Sequence, residues 1–209
     1  MTYRIIAVSG GTGGTGDPSN STALAERILA AAREQLRLGG VDAEVEVIEL
    51  RPLAHDLVDM TLTGIASEAL ETAFDRIRTS HGLVVVTPVY NAAPLGLVSL
   101  FWQLFPDAGL RGIPVALAAT GGTSRHSLVI DQQLRPLITY LKGLVTPTSV
   151  FAATDDWGAP EAMTGFGTRV RSVAEELAEL VVAQPAETRS VFDDLDPEAV
   201  TPFDQLLGA

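Results

Sequence analysis

Cysteine is absent from all 209 residues, and with it go the disulfide frame, the thiolate nucleophile, the iron–sulfur cluster and the cysteine-based zinc site. Redox chemistry in such a chain needs a bound cofactor. Lysine is almost missing too: Lys142 stands alone beside the arginines, and 14 basic residues face 26 acidic ones for a formal charge of −12. That balance opposes non-specific nucleic-acid binding, which depends on clustered cations to neutralise phosphates. No apolar run approaches the roughly 18 residues of a membrane span. The start Met1-Thr2-Tyr3-Arg4 leads straight into a short apolar strand, without the zones of a signal peptide, so the expected location is cytoplasmic. The three histidines, His55, His81 and His126, show neither H-x-H nor H-x-x-x-H spacing, and no metal site is expected.

What the chain does have is alternation of strand-like and helix-like segments. Residues 3–8 form a short apolar strand, and residues 20–38 carry Leu24, Ile28, Ala31 and Ala32 at near-helical spacing until Gly39-Gly40 stops the pattern. Val41, Val45, Val47 and Ile48 alternate with acidic residues, which suits a strand at the outer edge of a sheet, closed by Pro52. A helix is expected over 66–79, a buried strand over 83–87, a short helix over 96–105 and a strand over 113–119. A helix over 125–142, a strand over 144–153 and a long helix over about 160–183 complete the series. Five strands alternating with helices predict an α/β fold with a doubly wound, five-stranded parallel sheet, because parallel neighbours require crossovers that cover both faces. The flavodoxin-like order 2-1-3-4-5 is the expected topology. One domain is expected over 1–184, since about 200 residues lies within the ordinary single-domain range. Residues 185–209 read as an acidic tail: six carboxylates face Arg189, with three prolines and little periodicity. Phe192-Asp193-Asp194-Leu195 and Phe203-Asp204-Gln205-Leu206 repeat one pattern there, either paired docking anchors or an acidic extension lying on its own domain.

Three strand-like blocks run into polar loops, and in a parallel sheet the carboxyl edge is where ligands bind. The first is Ser9 followed by Gly11-Thr12-Gly13-Gly14-Thr15-Gly16, which satisfies the dinucleotide pattern G-x-G-x-x-G, with Glu49 near the end of the second strand as a ribose-binding acid. Asp17-Pro18, however, disfavours helix at Asp17 and delays the helical start to about Ser19. A loop of that length, with hydroxyls from Ser9, Ser19, Ser21 and Thr22 and a helix N-terminus behind it, suits a terminal phosphate better than a dinucleotide. Ser19 or Asn20 serving only as a helix cap explains part of the same composition. In the second loop, Thr87-Pro88-Val89-Tyr90-Asn91, Pro88 stiffens the backbone, Tyr90 offers a flat face with a polar tip, and Asn91 both donates and accepts. Such a loop lines a planar ring, although a Tyr-Asn pair after a strand also serves ordinary turns. In the third, Thr120-Gly121-Gly122-Thr123, the glycines let backbone amides approach the edge of a heterocycle. Arg125 is a candidate for an anionic ligand, and His126 is either a site residue or a packed helix residue.

In this order and spacing, Val8-Ser9-Gly10 with Ser19-Asn20-Ser21-Thr22, Thr87-Pro88-Val89-Tyr90 followed by Gly96, and Ala119-Thr120-Gly121-Gly122-Thr123 with His126 resemble the NADPH-dependent FMN reductase family over residues 3 to about 183. Residues 120–128, Leu134-Arg135-Pro136-Leu137 and Phe151-Ala152-Ala153-Thr154-Asp155-Asp156-Trp157-Gly158 look like the branch that accompanies luciferase-like flavin monooxygenases. The resemblance implies FMN and NADPH or NADH as ligands, hydride transfer to flavin N5 without a side-chain nucleophile, and a homodimer or homotetramer. It assigns Ser9, Ser19, Ser21 and Thr22 to the phosphate, with Asn20 among them as a further cofactor-binding residue. Pro88, Val89, Tyr90 and Asn91 fall to the ribityl chain and ring, with Thr87 before them also counted as cofactor-binding; Thr120, Gly121, Gly122 and Thr123 fall to the ring's polar edge. His126 is assigned near the flavin or the nicotinamide entrance, and Arg125 is counted among the cofactor-binding residues. Two departures stand out: no Lys or Arg lies between Arg4 and Arg27, and the lysine often found after the second loop is replaced around Val98-Ser99. FMN is therefore expected to exchange as a substrate, with Arg125 of a neighbouring subunit as compensation. The alternatives are an FMN-containing quinone or azo reductase, a flavodoxin-type electron carrier and, more distantly, a Rossmann-type dehydrogenase.

Overall fold

The computed structural model describes residues 2–12, 19–158 and 165–184. Residues 13–16 of the glycine run, Asp17-Pro18 and the acidic segment 185–209 lie outside the described residues. Five long strands, β1 (Tyr3–Ser9), β2 (Ala43–Glu49), β3 (Gly82–Tyr90), β5 (Pro114–Gly121) and β6 (Leu144–Ala153), form a parallel sheet in the order β2-β1-β3-β5-β6. The two-residue strand β4 (Ala93–Pro94) pairs antiparallel with the end of β3. Counted without β4, the order is the expected 2-1-3-4-5, and the acid-alternating β2 takes an edge.

Strand side chains alternate between two cores, as the period of two dictates. Ile5, Ala7, Val84, Val86, Ala116 and Ala118 pack under α1 (Asn20–Leu38) and the last helix, α6 (Phe166–Ala183). Ile6, Val8, Leu83, Val85, Val115 and Leu117 face the helices on the other side. These are α2 (Ala54–Thr63), α3 (Glu68–Arg78), α4 (Gly96–Leu104) and α5 (Arg135–Tyr140). Helix α3 shows why its sequence folds locally: Ser67 accepts from Leu70 N–H, and Glu68 and Glu71 sit at the positive end. Its buried stripe is Leu70, Ala73, Phe74 and Ile77. Among the described residues, no helix is long and apolar enough to cross a membrane.

Two segments differ from expectation. Helix α2 has no counterpart in the predicted series, because Leu57 is its one buried residue while Val58 and Leu62 face solvent, which erases the apolar stripe. The expected single helix over 125–142 is a 3-10 turn (Ser124–His126), a π-helical stretch (Ile130–Leu134) and then α5. Pro136 explains the widening: it has no N–H, and its ring would collide with the carbonyl four residues earlier in a regular helix. Arg135 N–H instead reaches back five residues to the Ile130 carbonyl. Arg135 pairs with Asp131 at 2.9 Å and donates to the Thr146 carbonyl at 2.8 Å, tying this stretch to an irregular part of β6.

Candidate active site

Strand register fixes which loops can meet. Ser9 lies beside Val86, Pro88 beside Thr120, and Gly121 beside Ala153, so the carboxyl ends of β1, β3, β5 and β6 form one rim. The chain leaves β1 toward β2 on one side, whereas β3 lies on the other, which makes the β1–β3 boundary the switch point where open α/β sheets bind ligands. A cleft of about 430 Å³ opens on this rim, within the range of about 300–1,000 Å³ typical of small-molecule sites.

The first loop supplies Thr12, Ser19, Asn20 and Ser21 to the cleft. Ser19 is the N-cap of α1, accepting from Thr22 N–H at 3.1 Å, so the capping role is correct and the same residue faces the cleft. The Asn20 and Ser21 N–H groups of the first turn have no upstream carbonyl within the helix and present its positive end to the rim. Ser9 and Thr22 lie beneath. Thr22 Oγ1 donates its single hydrogen to Glu49 Oε1 at 2.8 Å. The contacts from Ser9 Oγ at 3.2 Å and Ser19 Oγ at 3.0 Å must consequently run toward Thr22, while Gly11 N–H donates to Ser9 Oγ. This relay of hydroxyls drains into Glu49. Glu49, weighed as a ribose partner, is thus the acceptor that anchors the floor of the first loop. Gly11 is required here, because a Cβ would lie 1.8 Å from Ser19 Oγ.

The second loop contributes Pro88, Val89 and Tyr90, and Tyr90 Oη lies 2.9 Å from Thr12 Oγ1 across the cleft. Thr87 is buried and does not line it: its hydroxyl donates to the Pro88 carbonyl and accepts from Leu95 N–H. Asn91 also stands off the cleft, in an exposed turn where both Asn91 and Ala92 have left-handed backbones, φ 51° and 59°. Asparagine tolerates that region; alanine there costs about 1–2 kcal/mol. The third loop contributes Thr120, Gly121 and Gly122. Ser21 Oγ and Thr120 Oγ1 are 2.8 Å apart, both nearly buried, and pin the first loop to the third. Gly121 has Phe151 against it, whereas Gly122 has open space. Thr123 caps the following 3-10 turn, and neither it, Arg125 nor His126 lines the cleft; Arg125 is exposed.

The end of β6 and the loop after it supply a wall that the residues assigned from sequence do not include. Ala152, Thr154 and Trp157 line the cleft, and the Trp157 ring rests on Phe166 at 5.7 Å, over which Arg27 stacks at 4.7 Å. The signal was present, since β6 ends at the same rim as the other three strands. None of the described lining residues is charged. The arrangement therefore offers hydroxyls, amides and two aromatic faces, but no acid–base pair and no nucleophile with an activating base.

A sequence profile of the NADPH-dependent FMN reductase family matches residues 3–158, which include all the described lining residues. The chain belongs to that family. FMN reductase relatives agree: NADH-dependent FMN reductase SfnE of Pseudomonas putida is 35% identical, over 90% of this chain and 97% of its own. FMN reductase (NADPH) of Pseudomonas aeruginosa is 33% identical, over 85% and 92%. Among solved structures, an oxidoreductase from Corynebacterium diphtheriae superposes with a TM-score of 0.82 at 36% identity, covering 88% of this chain and 99% of its own. This FMN reductase is accordingly an NAD(P)H-dependent oxidoreductase whose ligands are FMN and the nicotinamide nucleotide. The cleft fits a flavin nucleotide in volume and in chemistry: a hydroxyl and amide end, a pair of aromatic walls, and an open glycine where a side chain would intrude.

Proposed function

We propose that this cleft holds FMN and that the enzyme delivers reduced FMN to a flavin-dependent monooxygenase. The observation that carries the placement is the convergence of four strand ends on one uncharged cleft with a helix N-terminus at one end. Bound FMN supplies the hydride-accepting ring, chemistry that no side chain here offers. Ser19, Asn20 and Ser21 receive the phosphate with hydroxyl and amide donors. Pro88, Val89 and Tyr90 border the ribityl chain and ring, Trp157 closes the far wall, and the Gly121 and Gly122 amides face the pyrimidine edge. Donors fixed there before reaction stabilise charge that develops on that edge without reorganising. Thr123, Arg125 and His126 stand outside this set, at the approach used by the nicotinamide nucleotide.

Release as a substrate follows from the same surface. With no cation among the described lining residues, the phosphate is held by hydroxyl and amide donors alone, without the opposite charge and bidentate grip that an arginine adds. A homodimer or homotetramer accompanies this reading, supported by Leu62 and Ile65, which are 79% and 74% exposed at the end of α2. A cytoplasmic location follows from the two nucleotide ligands.

The test combines turnover with binding. Purified protein with FMN should oxidise NADH or NADPH and yield reduced flavin that passes a dialysis membrane; reduced flavin that stays with the protein removes the delivery role. Ser19→Ala with Ser21→Ala should raise the FMN Kd about a hundred-fold or more, each lost hydrogen bond to a charged group being worth about 1.5–3 kcal/mol. Unchanged affinity would mean that the phosphate lies elsewhere.

A further inference from the structure

The hairpin that carries Tyr90 has no glycine where its backbone calls for one. Tyr90 pairs with Ala93 and Val89 with Pro94, so Asn91 and Ala92 are the two central residues of the turn, both at positive φ. Two-residue hairpins of this kind favour Asn-Gly, and alanine at the second place is disfavoured. Both turn residues are exposed, hence burial does not impose the conformation. Among the described residues, one long-range side-chain contact reaches the two central residues of the turn: Gln133 Nε2 donates to the Ala92 carbonyl at 3.1 Å, across 41 positions of sequence. Gln133 sits on the π-helical stretch, whose neighbours are anchored through Arg135 to Asp131 and to β6. The clamp therefore joins a fixed platform to a turn that is strained on its own.

We propose that Gln133 is a positioning residue for the flavin cleft: by holding the Ala92 carbonyl it sets the angle of the β3–β4 hairpin and keeps Tyr90 over the cleft, within reach of Thr12. Tyr90 is half exposed and its hydroxyl meets Thr12, so the hairpin angle is what decides where the ring stands. Gln133 itself is exposed and does not line the cleft, which separates its role from direct contact with the ligand. The inference rests on the placement of FMN given above.

The experiment is a cycle of Gln133→Ala, Ala92→Gly and the double variant, with Ser21→Ala as the control for the placement. FMN Kd is read by quenching of flavin fluorescence, and amide exchange of residues 90–95 is followed without flavin. Gln133→Ala should speed exchange in the turn and raise the FMN Kd about five-fold, the effect of one hydrogen bond. Ala92→Gly, which removes the strain, should bring the double variant back to within about two-fold of wild type, since a few tenths of a kcal/mol then separate them. Wild-type affinity in Gln133→Ala, or no rescue in the double variant, overturns the positioning role. If Ser21→Ala raises the Kd while Gln133→Ala changes neither readout, the placement stands and the positioning role falls. If Ser21→Ala leaves the Kd unchanged while the turn still loosens in Gln133→Ala, the clamp stands as a feature of the hairpin and its link to flavin falls with the placement.

Discussion

Replacing Thr22 by valine keeps the volume of the side chain and deletes the hub of the hydroxyl relay. Three contacts go at once: the hydrogen given to Glu49, and the two accepted from Ser9 and Ser19. They do not cost the same. Glu49 is exposed and Ser19 half-buried, so water takes over at both. Ser9 is fully buried, and its hydroxyl hydrogen loses the acceptor that the relay assigns to it. An unsatisfied buried donor costs about 1–3 kcal/mol, and for a protein of this size each kcal/mol lowers Tm by about 2–4 °C. A midpoint of about 2 kcal/mol thus predicts a fall of about 4–8 °C in a thermal melt. Thr22→Ser, which keeps the hydroxyl, should lose much less. Saturating FMN should raise both melts and leave the difference between them in place, since a ligand that binds only the native state stabilises each by mass action. A Thr22→Val melt within about 1 °C of wild type, far less than one unsatisfied donor costs, would refute the direction of the relay, and with it the role of Glu49 as its sink.

Gly122→Ala separates folding from binding. Nothing lies within 4 Å of the added methyl group, so Tm should be unchanged while the FMN Kd rises; an unchanged Kd would place the ring away from this face. His81 predicts a pH effect. Its Nδ1 accepts Arg4 N–H at 3.1 Å, and burial, with the Arg4 charge second, pushes its pKa below the ordinary histidine value. The unfolded chain then binds the proton more readily, so this contribution is complete above about pH 6.5 and is lost as pH falls through the depressed native value. Urea midpoints followed downward in pH from about 7.5, above the ordinary histidine value, should fall more steeply in wild type than in His81→Phe, and parallel curves would remove the effect.

Much of the fold is legible because its strands are buried on both faces and its helices carry strong stripes. A run such as Leu83 to Val86 leaves no choice between helix and strand, since it is too short for a helix and bounded by Gly82 and Pro88. Helix α2 escapes because Leu57 alone points inward, and the break at the π-helical stretch is written in Pro136 but masked by the apolar spacing around it. At the cleft, residue type pointed to loops that line it, and depth did not follow from it. Ser9, Thr22 and Thr87 have the chemistry of ligand contacts, yet they sit one layer beneath the residues that line the cleft. Trp157 shows the converse, since its role depends on the adjacency of β5 and β6 and on Phe166 behind it, neither of which local sequence displays.

The uncharged walls of the cleft have a kinetic consequence. A dianionic nucleotide approaching a protein of formal charge −12 meets a repulsive long-range field, with no positive funnel among the described lining residues to reverse it. Dissolved salt shortens the reach of that field to about 8 Å at physiological ionic strength. Capture should accordingly quicken as salt is added, opposite to the trend of nucleotide enzymes that steer their ligands with lysine and arginine.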